Sequence, residues 1–204
     1  MDIIRNALQT ICDLANSFLE NLDPRGDDWI VLTSLVDHDG AINQPARDKI
    51  VMTVYNISRE PTVSTYVPTT GGRSGTQAGD ALAVISPPLY LDVHLMFMAN
   101  FAEAHYADGL AALSRLIGYF QQTPYFTHDN ARALSDDIDK LTMDFESLGP
   151  VEVNYVMGML GTRYFPSAFY KLRMLPFVST AMQGRGVGVS GAALSTTPAQ
   201  RGAV

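Results

Sequence analysis

Residues 87–127 constrain the fold most: PPLYLDVHLMFMANFAEAHYADGLAALSRLIGYFQQTPYFT. They read as a strand running directly into an amphipathic helix. Leu89, Leu91, Val93, Leu95 and Phe97 alternate with Tyr90, Asp92, His94, Met96 and Met98. Period two predicts a sheet with one well-buried face. Tyr106, Leu110, Leu113, Ile117 and Phe120 then recur at steps of three and four, which predicts a helix with one apolar stripe, stopped at Pro124. A nucleophile, phosphate loop or metal ladder would be expected at the strand end of an α/β enzyme. This unit carries packing residues instead.

Around it, residues 2–22 predict a helix with the stripe Ile4, Leu8, Ile11, Ala15, Phe18 and Leu22, capped by Asp2. Short strands are expected at 29–35 and, from its β-formers, at 49–59. Further strands are expected at 136–147 and 167–177, with Ala168, Tyr170, Leu172 and Met174 on one face of the last. A short helix at about 150–160 begins at Pro150 and stops at Gly161. Residues 60–86 are rich in Gly and Pro and read as a long protruding inter-strand loop. Residues 178–204 lack periodicity and read as a flexible C-terminal tail. The expected fold is α+β: a domain over 1–177, built on a single mixed sheet with helices mainly on one face, plus the 178–204 tail.

Composition narrows the function classes. Charged residues are 17% of the chain, against roughly 25% in an average soluble protein. With nine Met, nine Tyr and nine Phe, that favours an assembling subunit over a solitary monomer. No run approaches a membrane span, and the N-terminus, with Asp2, Arg5 and Asp13, lacks a signal-peptide core, so synthesis in the cytoplasm is expected. The lone Cys12 cannot make an internal disulfide and reads as a buried thiol on the first helix. Beyond Glu152 the charges are Arg163, Lys171, Arg173, Arg185 and Arg201, a net of +5; the total of −7 leaves −12 for residues 1–152. Such polarity suits one end of a subunit meeting the other end of its neighbour. Five cations without interleaved aromatics do not suit nucleic-acid binding.

Chemical motifs are weak. Gly186–Gly191 spells GxGxxG, but too few residues follow to form the βαβ unit that would hold a pyrophosphate. Gly71–Thr76 lacks the Gly-Lys-Ser/Thr ending of a phosphate loop. His38, His94, His105 and His128 form no i,i+4 pair, and no Gly-x-Ser-x-Gly occurs. Asp136, Asp137 and Asp139 could hold Mg²⁺ only with help from elsewhere. No catalytic residue, cofactor or metal is expected. The competing readings are a small metal- or ligand-binding α+β enzyme using that Asp cluster, and a peptide-binding adaptor.

Several blocks in order carry a resemblance: Tyr55–Glu60, Pro87–Leu91, Leu95–Phe97, Ile117–Gln122, Ile138–Thr142, Leu160–Ser167 and Tyr170–Leu175. Over roughly residues 1–177 the chain resembles the cap, or tube-terminator, proteins of phage-tail-like extracellular contractile injection systems. It departs from their pattern at Gly149-Pro150, where a Ser or Thr cap is commoner, and after Phe177. The resemblance implies a phage tail-terminator-like fold and a structural, non-enzymatic role. It implies a homo-oligomeric ring of six subunits on the distal end of the inner tube, which ends tube polymerisation and helps anchor the last sheath layer. The implied partners are further copies of the chain, the inner tube protein and the sheath protein, without nucleic acid or membrane insertion. The implied setting is a particle that is released or anchored. Candidate subunit or tube contacts are Tyr90 and His94, on the less apolar strand face, and Arg163, Tyr164, Lys171 and Arg173, at the basic end.

Overall fold

The computed structural model describes residues 2–37, 40–41, 43–61, 69–70, 81–85, 89–177 and 182–187. It divides into two units, Met1–Ser64 with Leu89–Phe177, and Thr65–Pro88 with Val178–Val204. The helices are α1 (Ile3–Leu22), α2 (Tyr106–Gln122) and α3 (Pro150–Met159). The strands of the first unit are β1 (Ile30–Leu32), β2 (Lys49–Arg59), β5 (Leu89–Asn100), β6 (Tyr125–Phe126), β7 (Leu141–Glu146) and β8 (Ser167–Phe177). Those of the second are β3 (Thr69–Thr70), β4 (Ala81–Ile85) and β9 (Met182–Val187).

The first unit is one mixed six-stranded sheet in the order β1-β2-β5-β8-β7-β6. Only β1 and β2 run parallel; the other pairs are antiparallel. The long strands β2, β5 and β8 form its centre, as their β-branched and aromatic content predicts. One face, with Ile50, Met52, Val93, Leu95, Phe97, Tyr170 and Leu172, packs under α1 and α2. The two helices meet through Phe18 and Tyr119, whose ring centroids are 4.9 Å apart. The helices are thus mainly on one face, as expected, but β5 is buried on both. Met96 and Met98 join Val51 and Phe169 in a second core under Val156 and Met157 of α3.

Four expectations need correcting. The buried face of α2 is Gly109, Ala112, Leu113, Leu116, Tyr119 and Phe120. Of the expected stripe, Tyr106, Leu110 and Ile117 lie exposed. Gly109 makes room for Phe101, just past the end of β5: a Cβ on Gly109 would sit 2.7 Å from the Phe101 ring. Spacing alone cannot distinguish that face from its flank. Next, β7 begins at Leu141; the preceding residues form turns, held by Ile138 N–H donating to the Ser135 carbonyl at 2.9 Å. Third, Asp2 makes no side-chain cap on α1. Fourth, Leu175 rather than Met174 joins the core, because Met174 takes a left-handed backbone, φ 73°.

In the second unit β4 pairs antiparallel with β3 and β9, in the order β3-β4-β9. The stretches expected as loop and tail therefore contain paired strands. Main-chain pairing needs no large side chains, and Gly184 and Gly186 hide β9 from any pattern of apolar alternation. The Gly71–Thr76 motif, Gly188–Gly191 and His38 lie outside the described residues.

Candidate functional site

Two bulges flank the middle of β5 and assemble a polar cluster on the α3 side of the sheet. In β2 the register slips between Val54 and Asn56. The extra residue, Tyr55, turns Ser58 onto the same face as His94. In β8 the slip lies opposite Asp92, where Leu175 pairs with Leu91 but Leu172 with Val93. Lys171 and Arg173 share the polar face by ordinary alternation, and the slip keeps both Leu172 and Leu175 in the core. Re-aiming side chains in this way is what bulges do.

His94 is buried between two partners. Its Nδ1 lies 2.9 Å from Glu146 Oε2 and its Nε2 lies 2.9 Å from Ser58 Oγ. A carboxylate only accepts, so Nδ1 carries a proton and donates to Glu146. The Tyr55 hydroxyl donates to the same Glu146 oxygen at 2.7 Å, and Lys171 Nζ stands 3.9 Å from the other. Burial pulls the Glu146 pKa up. The hydrogen bonds from Tyr55 and His94, with the His94 and Lys171 charges, outweigh it and hold the carboxyl below its usual range. Burial and Glu146 together raise the Tyr55 phenol.

Serine, histidine and glutamate here have the connectivity of a hydrolase triad. The surroundings differ. Ser58 sits within a paired strand, opposite Asp92, and β2 runs on into Glu60 and Pro61 rather than into a helix N-terminus. The bonds are suited to fixing His94 and Tyr55 under the sheet rather than to activating a nucleophile.

The other half of the cluster is ionic. Arg173 donates from Nε and Nη2 to the two Glu60 oxygens at 2.8 and 2.9 Å, and from Nη1 to Asp144 Oδ2 at 3.2 Å. The Glu60 side chain is wholly buried. These acceptors raise the Arg173 pKa further. Asp92, 2% exposed, leaves Oδ1 without a hydrogen-bond partner. Burial, then the hydrogen bond with Glu60 and its charge, raises its pKa from 3.8 to about 6. A raised carboxyl binds its proton more tightly in the folded state, so it weakens folding above about 6. That penalty fades as pH falls from about 6 and is gone below 3.8, where the unfolded chain is protonated too. Asp92→Asn should therefore gain on the wild type by on the order of 2 kcal/mol at pH 7. The gain should shrink towards pH 4. Urea unfolding of both proteins across that range checks it, and a gain that does not vary with pH would refute the assignment.

Of the six residues expected at contacts, the fold brings His94, Lys171 and Arg173 into this cluster. Tyr90 is half-buried in the same strand as His94, its carbonyl accepting the Glu60 N–H at 3.0 Å. Arg163 and Tyr164 lie elsewhere, beyond α3, lining a groove with Leu148, Val153 and Met157. Tyr164 is 72% exposed. The sequence reading misses Tyr55, Ser58 and Glu60, whose facing follows the β2 bulge, and Asp144 and Glu146, whose partners come from other strands of the sheet. Cys12 is buried, and burial, with Asp13 and Asp28 adding, pushes its thiol up to about 12, which makes it inert. Among the described residues no three His, Cys, Asp or Glu side chains gather into a metal site, Asp136, Asp137 and Asp139 included. Nor is any described helix long and apolar enough to cross a membrane.

The profile of the Pvc16 N-terminal domain matches residues 4–190. The chain belongs to the Pvc16 N-terminal domain family. The fold has solved counterparts. One is the sheath/tube terminator, in its extended state, of the extracellular contractile injection system PVC. At 12% identity and TM-score 0.60, that likeness covers 98% of this chain and 65% of the terminator's. Another is the tube-terminating cap of the anti-feeding prophage, with 9% identity and TM-score 0.49 over 90% of this chain and 59% of the cap's. The chain thus spans just under two thirds of the terminator's length. No curated protein matches it.

Proposed function

We propose that this chain is a structural cap subunit: it forms a ring on the distal end of the inner tube of a contractile injection system, stops tube growth and helps hold the last sheath layer. The observation that carries this reading is family membership over residues 4–190, supported by a fold like that of a sheath/tube terminator along almost the whole chain. The ring has six copies, and its partners are the tube and sheath proteins of the same particle. The charge polarity of the chain, −12 over 1–152 against +5 over 153–204, suits head-to-tail contact between copies. Arg163 and Tyr164 are assigned to contacts between subunits. Tyr90, Lys171 and Arg173 are assigned to the tube-facing surface, with His94 buried beneath it as their support. Lys171 and Arg173 each keep about a third of the side chain accessible for it. The segments 60–86 and 178–204 are assigned as arms reaching neighbours. Catalysis is not part of this role.

Negative-stain microscopy of the protein with purified inner-tube subunits tests the reading. Expected are rings closing tube ends and shorter tubes as the cap is titrated in. Tubes of unchanged length with bare ends would overturn it.

A further inference from the structure

A cavity of about 300 Å³ opens over the polar cluster, at the small end of the range for ligand pockets. Four carboxyls line it, Glu60, Asp92, Asp144 and Glu146, against two cations, Lys171 and Arg173. Pro61 and the 58% exposed Phe145 add an apolar wall. The cations are already committed. Arg173 donates to both Glu60 oxygens and to Asp144, and Lys171 stands beside Glu146, which also accepts from Tyr55. Asp92 is 2% exposed, and its Oδ1 has no hydrogen-bond partner among the described residues. Native proteins keep few buried polar atoms in that state, because each costs stability. A second costly feature lies across from it. The β8 bulge sits opposite Asp92, and Met174 within it takes φ 73°, a left-handed backbone uncommon for a long side chain. Such costs tend to cluster where they serve a site.

We propose that this cavity is a socket for the head group of an alkyl ammonium or guanidinium, whose N–H donates to Asp92 Oδ1 while its methylene stem lies along Pro61 and Phe145. The excess of carboxyls disfavours an anion. A calcium-like ion takes about six to eight oxygens, and among the described residues no three acidic or histidine side chains gather to hold one. An alkyl stem suits the apolar wall, as the stems of Lys and Arg suit apolar surface generally, and an aromatic ring at the rim attracts a cation to its face. The natural head group is a basic side chain of the tube-side partner, since Lys171 and Arg173 belong to the surface assigned to that contact; this clause alone rests on the proposed cap function. The socket needs the ionised carboxylate, so affinity should level off above about pH 6 and fall about tenfold per unit below it. Glu60, Asp144, Glu146, Lys171 and Arg173 face the same space, and His94 lies two residues along β5. Asp92→Asn separates the titration of Asp92 from theirs.

Butylammonium chloride is the probe, read by urea unfolding and calorimetry of the full-length protein at neutral pH. At about ten times its dissociation constant it should raise the folding equilibrium constant about tenfold. Tetramethylammonium chloride carries the charge without an N–H and should give none of that gain. Asp92→Asn, which keeps the shape and folds at least as well, should weaken probe binding about tenfold or more; Phe145→Ala, at the exposed wall, should weaken it about threefold. Equal effects of the two salts, a probe that binds Asp92→Asn as well as the wild type, or an affinity that does not fall with pH would each overturn the socket. Tube capping is read separately. Weaker capping by Asp92→Asn, with butylammonium competing against the wild type, would assign the socket to a tube side chain. Unchanged capping with intact probe binding would keep the socket and assign it to a free amine. A wild type that binds the probe and caps no tube would reject the cap role and keep the socket.

Discussion

Arg173→Ala should lower the unfolding free energy by about 3–5 kcal/mol, far more than an arginine with 30% of its side chain exposed would suggest. The reason is the charge it leaves behind. Glu60 is wholly buried and takes both ends of the guanidinium fork at 2.8 and 2.9 Å. Removing the fork strands that charge beside Asp92, whose unpartnered Oδ1 shows how few donors the site offers. Arg173→Lys should recover little, since an ammonium cannot satisfy both oxygens in parallel. Lys171→Ala provides the contrast on the same strand. Its ammonium stands 3.9 Å from Glu146 in a partly exposed position, and its loss should fall within about 1 kcal/mol. Denaturant unfolding at neutral pH measures all three. If Arg173→Ala costs no more than Lys171→Ala, the Glu60 pair does not organise this end of the sheet.

The contrast between neighbouring cations bears on what the sequence makes legible. β2 and β8 are readable to the residue, Lys49–Arg59 and Ser167–Phe177, because β-formers fill them and turn residues bound them. α1, with Ile11 and Ala15 on its stripe, is equally plain. The resemblance to tube terminators, carried by blocks spread over 1–177, agrees with the family to which the chain belongs. Facing is harder. A bulge is one residue out of step, and neither Tyr55 nor Met174 announces itself; each reverses the facing of the residues beyond it. His94, Lys171 and Arg173 therefore stand out by type, while their partners Glu60, Asp144 and Glu146 do not. The α2 stripe fails for a related reason. Ala112 and Gly109 carry little hydrophobic signal, yet closeness to the sheet and to Phe101 selects small residues and turns larger ones outward. The opening of α3 at Gly149-Pro150 lacks a side-chain cap, and Glu152 replaces it by accepting the Gly149 N–H at 2.7 Å.

Phe120→Ala should cost about 3–5 kcal/mol and leave the tertiary near-UV signal weakened well below the midpoint of unfolding. Phe120 is a member of the α2 stripe that the sequence places correctly, and it is 2% exposed. Its ring meets those of Phe97 at 5.3 Å, Tyr119 at 5.2 Å, Tyr170 at 5.0 Å and Phe126 at 6.5 Å. Those four come from β5, α2, β8 and β6, so one side chain joins the helix to the centre and the far edge of the sheet. Tyr119 extends the chain of rings to Phe18 on α1. Truncation opens a cavity among rigid rings that cannot collapse into it, which is the condition for the upper end of the range. Phe120→Leu, which keeps most of the volume, should recover more than half of the loss. Urea unfolding of both variants measures it; a Phe120→Ala loss no larger than that of Phe120→Leu would show that the ring cluster does not hold α2 to the sheet.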